Sequence, residues 1–218
     1  MGEGIAHIIS PLSAPWCGWT MLGLLICAVL SEWFQPGIIT QAPMSLMVRN
    51  DRLYKESPTN FMGQLHITLF RFGTLAMALC LCWTPEGQFS FAAFAAMVGI
   101  IALFFVVKML GNWLLDYTFM FTRRFGAPYE HYSNLLTLAA LVLYPVMLIL
   151  NYLVSPLAAR WSVAVIAALF CLLWLYRCIR TYITSPVAII YIILYFCTLE
   201  ILPFIGLAYI SAKTIAIL

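Results

Sequence analysis

The chain has 218 residues, of which 64% are hydrophobic and 9% are charged, and its formal net charge is +3. Soluble domains carry about 45–50% apolar and about 25% charged residues, so this composition indicates an integral membrane protein and excludes an ordinary soluble enzyme. A net charge this small and this scattered argues against nucleic acid as a partner.

Apolar stretches long enough to cross a bilayer predict the fold class. Because backbone groups in hydrocarbon must bond within the protein, we expect an all-α fold, one polytopic transmembrane helical bundle over residues 1–218. Gln35-Pro36-Gly37 ends the first stretch, and Thr84-Pro85-Glu86-Gly87 joins the second and third as an antiparallel hairpin. The six predicted spans are about 16–34, 63–83, 89–110, 134–154, 161–178 and 187–210.

The distribution of Lys and Arg predicts the orientation of these spans. Cytoplasmic loops are enriched in cations. Eight cations lie in loop 1–2, in loop 3–4 with the end of the third span, and in loop 5–6, whereas two lie on the opposite side. We therefore expect these loops in the cytoplasm and both termini outside. The eight are Arg49, Arg52, Lys55, Lys108, Arg123, Arg124, Arg177 and Arg180, and the two are Arg160 and Lys213.

The second predicted span carries Gln64, His66 and Arg71 in its cytoplasmic half. An ionisable group inside a span is costly unless it has a partner or reaches water. Arg71 therefore either extends along the helix to the cytoplasmic headgroups or turns inward to pair with another group.

A row of polar residues marks the end of the third predicted span. Lys108, Asn112 and Asp116 recur every four residues, so they share one face of a helix. If the apolar boundary lies near Leu110, Asn112 and Asp116 form a solvated face on an extension of the helix. If the span begins later, the row becomes a polar seam inside the bundle.

Glu200 is the one charged residue in the apolar run from Pro186 to Ile210. Three interpretations stay open: a protonated, structural carboxyl group; an ion pair with Arg71 or, as the fallback partner, Lys108; or a working carboxylate that carries a proton, binds an ion or anchors a substrate. Glu200, Arg71 and Lys108 are the candidate intramembrane polar site.

Loop 3–4 contains Arg123, Arg124 and His131, which suit an anionic lipid headgroup. The alternative is an aromatic and basic belt at the membrane interface. His66, Glu130 and His131 lack the spacing of metal ligands, and no catalytic motif occurs, so we predict no metal, no cofactor and no catalytic residue.

Small residues recur along one face of the third predicted span, at Ala92, Ala96 and Gly99. This pattern lets membrane helices approach closely. It indicates either packing within the bundle or a docking surface for another membrane subunit.

Two strings of the sequence carry a family resemblance. The segment Tyr195–Pro203, with its C-x-L-E-I-L-P pattern, and Phe70-Arg71-Phe72 upstream resemble a family of polytopic inner-membrane proteins of Bacteroidota, the domain of unknown function 4271 family. The resemblance implies a multi-pass protein of the bacterial inner membrane. It implies no activity and no catalytic residue.

The leading functional hypothesis is a non-enzymatic inner-membrane subunit, a scaffold or accessory of a cell-envelope assembly. Its partners would be the lipid bilayer and another membrane protein or a second copy of the chain, with Arg71 and Glu200 fixing helix register. Two alternatives stay open: a small ion-coupled transporter that uses Glu200, and a lipid-headgroup-binding or lipid-handling protein that binds an anionic lipid.

Overall fold

The structure is a computed structural model that describes residues 15–47, 60–83, 90–119, 128–153, 156–182 and 202–217. Within these ranges the chain forms α-helices and no β-strand, which confirms the all-α prediction. The helices in chain order are α1 Pro15–Phe34, α2 Ile38–Met47, α3 Phe61–Trp83, α4 Phe91–Phe119, α5 Pro128–Leu153, α6 Pro156–Tyr182 and α7 Leu202–Ile217.

Four of these helices contain an apolar stretch long enough to cross a membrane, so the chain is a membrane protein. They coincide with the first four predicted spans. In α6 the apolar stretch is shorter, Arg160–Tyr176. Residues 187–201 of the sixth predicted span, 187–210, lie outside the described residues. The rest of that span belongs to α7, which continues to Ile217. The four stretches are Trp16–Phe34, Phe61–Trp83, Phe91–Gly111 and Tyr132–Ile149.

The helices begin at residues suited to that position. The side chain of Asn60 accepts a hydrogen bond from the Met62 backbone N–H at 3.1 Å, and the Ser90 hydroxyl accepts one from Ala93 at 3.1 Å. Both residues therefore act as N-caps. Proline is the first residue of α1, α5 and α6, where its missing N–H removes no hydrogen bond.

The predicted turn at Gln35-Pro36-Gly37 is confirmed, and the segment after it forms a helix that was not predicted. Gly37 has φ 92°, a left-handed conformation that favours glycine. Loop 1–2 was predicted only as the connection between the first two spans, and its first part forms helix α2, despite Pro43 in the helix interior. The helix is stabilised from outside, because α2 packs against α5 and buries Ile38 and Ala42.

Helix α3 lies at the centre of the bundle and contacts α1, α4, α5, α6 and α7. Its fully buried side chains include Ile67, Phe70, Met77 and Leu81. The polar residues of the second predicted span therefore stand on the helix with the most protein neighbours and the least access to lipid.

Contacts between helix ends show which ends lie together. Trp16 meets Phe91 edge to face with ring centroids 5.7 Å apart, so α1 and α4 start at the same end of the bundle. Arg160 Nε donates to the Leu81 carbonyl at 3.0 Å, so α6 starts where α3 ends. We call this the Trp16 end, and the opposite one, where α3 begins, the Asn60 end.

Candidate functional site

Arg71 is turned into the bundle from the central helix. Its side chain is 6% exposed, and Nη1 donates a hydrogen bond of 2.6 Å to the hydroxyl of Ser133 on α5. A hydrogen bond with a charged donor is stronger than a neutral one. The side chain is therefore an internal link between α3 and α5, not a group extended to the headgroups.

Lys108 is buried on the neighbouring helix. It is 3% exposed, and its Nζ lies 3.4 Å from the centroid of the Tyr132 ring. This is the geometry of a cation–π interaction, in which the electron-rich ring face attracts the ammonium group. Helix α4 continues to Phe119, so Asn112 and Asp116 share a helical face with Lys108, although their side chains lie outside the described set.

Tyr132 and Ser133 are consecutive residues, so one turn of α5 holds both cations. The edge of Trp174, on α6, meets the Tyr132 ring with centroids 5.1 Å apart. Four helices thus meet at one level. We call Arg71, Lys108, Tyr132, Ser133 and Trp174 the cation cluster.

Two stacked rings brace the cluster between α3 and α4. Phe72, next to Arg71, stacks on Phe105 with centroids 4.7 Å apart. Phe105 stands one turn before Lys108 and also contacts Tyr132 at 6.1 Å. Phe72 is adjacent to Arg71 and Phe105 lies one turn from Lys108. Their stacking therefore fixes α3 and α4 in register at the level of the two cations.

Two neutral side chains in or next to the cluster each have a buried polar atom without a hydrogen-bond partner in the described part of the chain. The two atoms are the hydroxyl of Thr74, which is 0% exposed, and Nε1 of Trp174, which is 5% exposed. Thr74 follows Arg71 by three residues, so both lie on one face of α3. An unsatisfied buried donor costs free energy, so such groups call for an explanation.

The cluster lies where the apolar stretches of three helices meet their boundary. These stretches end at Gly111 in α4 and Tyr176 in α6, and begin at Tyr132 in α5. Lys108, Ser133 and Trp174 are each within three residues of that boundary. Arg71 lies in the middle of the apolar stretch Phe61–Trp83, so the cluster extends from this boundary into the apolar part of the bundle.

His66 belongs to a different part of the molecule. Its ring stacks on Phe34 of α1 with centroids 5.5 Å apart, and Nδ1 lies 2.7 Å from the Met62 carbonyl oxygen. Since a carbonyl only accepts, Nδ1 carries the proton. Five residues separate His66 from Arg71, about 140° around the helix, so the structure does not bring His66 to the cluster.

Several predicted site residues are not covered by the description. Glu200, Arg123 and Arg124 lie outside the described residues, and His131 is described only as part of the α5 backbone. The pairing of Glu200 with Arg71 or Lys108 stays a prediction, as does headgroup binding by loop 3–4.

A second polar group of residues joins α1, α2 and α3 at the Asn60 end. The Glu32 carboxylate accepts the backbone N–H of Gly37 at 2.6 Å and that of Ile39 at 3.1 Å. Gln64 donates to the side-chain oxygen of Gln35 at 3.2 Å. We call this the Glu32 corner. The carboxylate satisfies free N–H groups at the start of α2, which explains how that helix begins.

Asn60 and Gly63 complete the corner. Asn60 Nδ2 donates to the Phe34 carbonyl at 3.1 Å, tying the start of α3 to the end of α1. A Cβ on Gly63 would lie 2.7 Å from Cβ of Gln35, so only glycine admits this approach. The corner is a structural joint between helices.

Sequence reasoning missed four residues in or near the two polar regions. Ser133 and Trp174 were not singled out, and neither were Thr74 and Glu32. One signal was available: Tyr132 and Ser133 open an apolar stretch at the depth where Lys108 closes another. Trp174 had no such signal, because within an apolar stretch it resembles any lipid-facing residue.

The predicted small-residue face of α4 points away from the bundle. Ala92 and Gly99 are exposed and Ala96 is partly buried. Apart from the neighbouring backbone of its own helix, no atom of the described residues lies within 4 Å of the position a Cβ on Gly99 would take. Larger exposed residues continue the face at helical spacing. Together we call these residues the outer face of α4: Ala92, Ala96, Gly99, Leu103, Val106, Leu110, Trp113 and Tyr117.

Comparison with known proteins agrees with the resemblance of the two strings. No curated protein and no solved structure matches the chain. One family model, described as a domain of unknown function (DUF4271), matches residues 18–210, a range that includes the outer face of α4 and every member of the cation cluster. The match extends over most of the 218 residues, and the chain therefore belongs to the DUF4271 family.

Proposed function

We propose that the chain is a non-enzymatic integral subunit of the inner membrane of a bacterium of the Bacteroidota, where it acts as a scaffold or accessory of a cell-envelope assembly. The observation that carries the proposal is the outer face of α4. It is the docking surface for a transmembrane helix of a partner subunit.

Spacing supports this use of the outer face. Its eight positions alternate steps of four and three residues, the repeat by which two helices keep contact along their length. Lys108 lies on the opposite side of α4, in the cation cluster. One face of the helix thus serves the fold of the chain, and the other is left for a neighbour.

Small residues make the outer face suited to a protein helix. Between membrane helices the hydrophobic effect contributes little, and association depends on close packing over Gly and Ala. Around Gly99 there is open space in the described chain. A partner helix gains its closest approach there, whereas lipid tails gain nothing specific from a glycine.

Purification from native membranes in nanodiscs, with mass spectrometry of co-purifying proteins, tests the proposal. We expect a stoichiometric membrane protein with the native chain, and its loss with Gly99→Leu. Gly18→Leu is the matched control, because Gly18 is exposed on α1 with equally open surroundings. A chain that purifies alone, or a partner retained by Gly99→Leu, would contradict the docking role.

The proposed topology has six spans, with both termini outside. The positive charge of the three loops supports it, and so does the alternation of helix starts between the two ends of the bundle. In a cysteine-free background, an impermeant maleimide should label Glu86→Cys from outside. Lys55→Cys should react only after the membrane is permeabilised. Labelling with the opposite sidedness would reject the orientation.

A small ion-coupled transporter is the second candidate, favoured by the meeting of Arg71 and Lys108 at one turn of α5. In this mechanism the two cations bind an anionic substrate, and Glu200 carries a proton or cation. It predicts uptake into liposomes containing the purified protein and loss of that uptake with Glu200→Gln. Uptake that survives the substitution rejects the mechanism.

A further inference from the structure

We propose that Cys17 of α1 and Cys80 of α3 form a disulfide bond, which fastens the first helix to the central helix on the outer side of the membrane. The structure holds both residues as free thiols, and each is 0% exposed. The placement of the pair outside rests on the proposed topology. The pairing itself rests on the geometry of the two helices.

The first argument is the register of α1 against α3. The two helices run in opposite directions, because α3 begins where α1 ends. A Cβ on Gly73 would overlap the side chain of Leu24, so these two positions face each other. Cys17 lies seven residues, about two turns, before Leu24, and Cys80 lies seven residues after Gly73. The two cysteines therefore occupy the next equivalent pair of facing positions.

The second argument is burial. The buried residues of α1 recur at alternating steps of four and three, the spacing by which one face keeps contact with a neighbouring helix. Helix α1 packs on α3 along this face, and the thiols of Cys17 and Cys80 are near enough to interact electrostatically. Both side chains therefore lie in the contact between the two helices. The buried face of α1 consists of Cys17, Met21, Leu24, Ala28, Ser31 and Gln35.

The third argument is the close approach of the two backbones. At Gly63 and Gly73 of α3 an added Cβ would collide with α1, so the helices are in close contact over this length. Closely packed helix axes are about 8–10 Å apart and Cα atoms lie about 2.3 Å from each axis, which leaves facing Cα atoms roughly 5 Å apart. A disulfide needs about 4.4–6.8 Å between Cα atoms. Facing cysteines in this contact can therefore be bridged.

The fourth argument is location. Cys17 is the second residue of the apolar stretch Trp16–Phe34, and Cys80 lies three residues before the end of the stretch Phe61–Trp83. Both are within one turn of the boundary at the Trp16 end, which the proposed topology places outside. Disulfides form and persist in the oxidising bacterial periplasm, whereas the cytosol keeps thiols reduced.

The bond has a structural use. Helix α1 packs mainly on α3, and its other sides are exposed at Trp19, Leu22 and Val29. A helix with one main neighbour depends on that single contact to stay in the bundle. A cross-link between Cys17 and Cys80 holds it there.

The oxidant is a disulfide of a periplasmic thiol oxidoreductase. The thiolate of one cysteine attacks that disulfide, so that a mixed disulfide forms and one thiol of the oxidant leaves. The second cysteine attacks the mixed disulfide, which forms the bond between Cys17 and Cys80 and releases the other thiol. Two electrons and two protons pass to the oxidant. Because both thiols are buried in the packed bundle, the exchange takes place before α1 and α3 have fully packed.

The test traps the oxidation state that the full-length chain has in cells. A site for a sequence-specific protease is inserted in loop 1–2, and the chain is extracted and purified with N-ethylmaleimide and without reductant. After cleavage and denaturation we expect the two fragments to migrate as one species, and as two species after dithiothreitol. Intact-mass measurement should count two maleimide adducts fewer than on a chain that is reduced before it is blocked.

Variants assign the bond to this pair. Cys17→Ser and Cys80→Ser should each separate the fragments without reductant. Cys27→Ser on α1 and Cys82→Ser on α3 are the matched controls, because each removes a partly buried thiol from the same helix. Both controls should leave the fragments linked.

Two results would overturn the bond. One is the separation of the native fragments without reductant, and the other is a link that survives Cys17→Ser or Cys80→Ser. If the fragments separate while Glu86→Cys is labelled from outside, the bond is rejected and the topology stands. If they stay linked while the labelling has the opposite sidedness, the topology is rejected and the bond stands.

Discussion

The Glu32 corner, which is partly exposed, and the cation cluster, whose Arg71 and Lys108 are buried, are two polar regions of the bundle that carry charge of opposite sign. At the corner one carboxylate accepts two backbone N–H groups that lie five and seven residues along the chain. In the cluster two cations contact a hydroxyl and an aromatic ring that come from α5, and a fourth helix, α6, adds Trp174.

The difference concerns which parts of the chain the charges connect. At the corner the Glu32 carboxylate bonds backbone N–H groups a few residues further along the chain, so the charge is used to start α2. In the cluster the two cations contact side chains of another helix, Ser133 and Tyr132 of α5. The carboxylate therefore shapes one stretch of chain, whereas the cations join separate helices. The predictions below separate these two roles.

The largest effect is expected at the corner. Glu32→Ala removes the acceptor of two backbone N–H groups and should lower the free energy of unfolding by about 2–4 kcal/mol. Glu32→Gln keeps an acceptor oxygen and should lose about half as much. Denaturation in mixed detergent micelles measures both. An alanine variant as stable as the native chain would show that α2 starts without the carboxylate.

Close packing at the corner gives the next effect. An added Cβ in Gly63→Ala meets Cβ of Gln35, so the variant should lose about 1–3 kcal/mol of stability. Gly99→Ala is the matched control on an open surface, and it should be neutral or gain up to about 1 kcal/mol from helix propensity. Equal effects in the same denaturation assay would mean that Gly63 is not tightly packed.

In the cluster the aromatic ring should matter more than its hydroxyl. Tyr132→Leu removes the ring beneath Lys108 and should cost about 1–2 kcal/mol, whereas Tyr132→Phe keeps the ring and should cost less. Tyr117→Leu, on the outer face of α4, should stay within about 0.5 kcal/mol. If Tyr132→Phe were as damaging as Tyr132→Leu, the hydroxyl rather than the cation–π contact would hold Lys108.

An uncharged hydrogen bond outside both regions should give the smallest loss of stability. The buried Tyr144 hydroxyl donates to the Met21 carbonyl at 2.9 Å and joins α5 to α1. Tyr144→Phe should cost about 0.5–1.5 kcal/mol, the usual value of one neutral hydrogen bond. Tyr209→Phe, exposed on α7, is the control and should show no change. A loss well above that of Tyr132→Leu would reverse the expected order.

The features that could be predicted from the sequence are those determined by residues adjacent in the chain, such as apolar spans and turns. Long apolar stretches predicted six spans, and four of them coincide with membrane-length helices in the described part of the chain. Gln35-Pro36-Gly37 predicted the first turn, which the positive φ of Gly37 confirms. Helix α2 was not predicted, and Pro43 in its interior is unfavourable to a helix locally. What stabilises it is the Glu32 carboxylate and packing against α5, and neither is visible in the ten residues of the helix.

Only part of the cation cluster was predicted from the sequence. Arg71 and Lys108 were identified because charged groups are costly in an apolar stretch. Ser133, which Arg71 contacts, was not identified, and neither was Trp174, which packs on Tyr132. Both reach the cluster only through the order of helices around α3. Which way a cation turns depends on tertiary packing, and the pattern of one helix does not contain it. For the same reason the sequence left two directions open for Arg71.

The central claim is that Arg71 turns inward and bonds Ser133, and a double-mutant cycle tests it most directly. Arg71→Met, Ser133→Ala and the double variant are compared in the same denaturation assay. The account predicts that the two single effects do not add, with a coupling of about 0.5–3 kcal/mol. Additive effects would mean that Arg71 does not contact Ser133, and the cation cluster would then lack the link between α3 and α5.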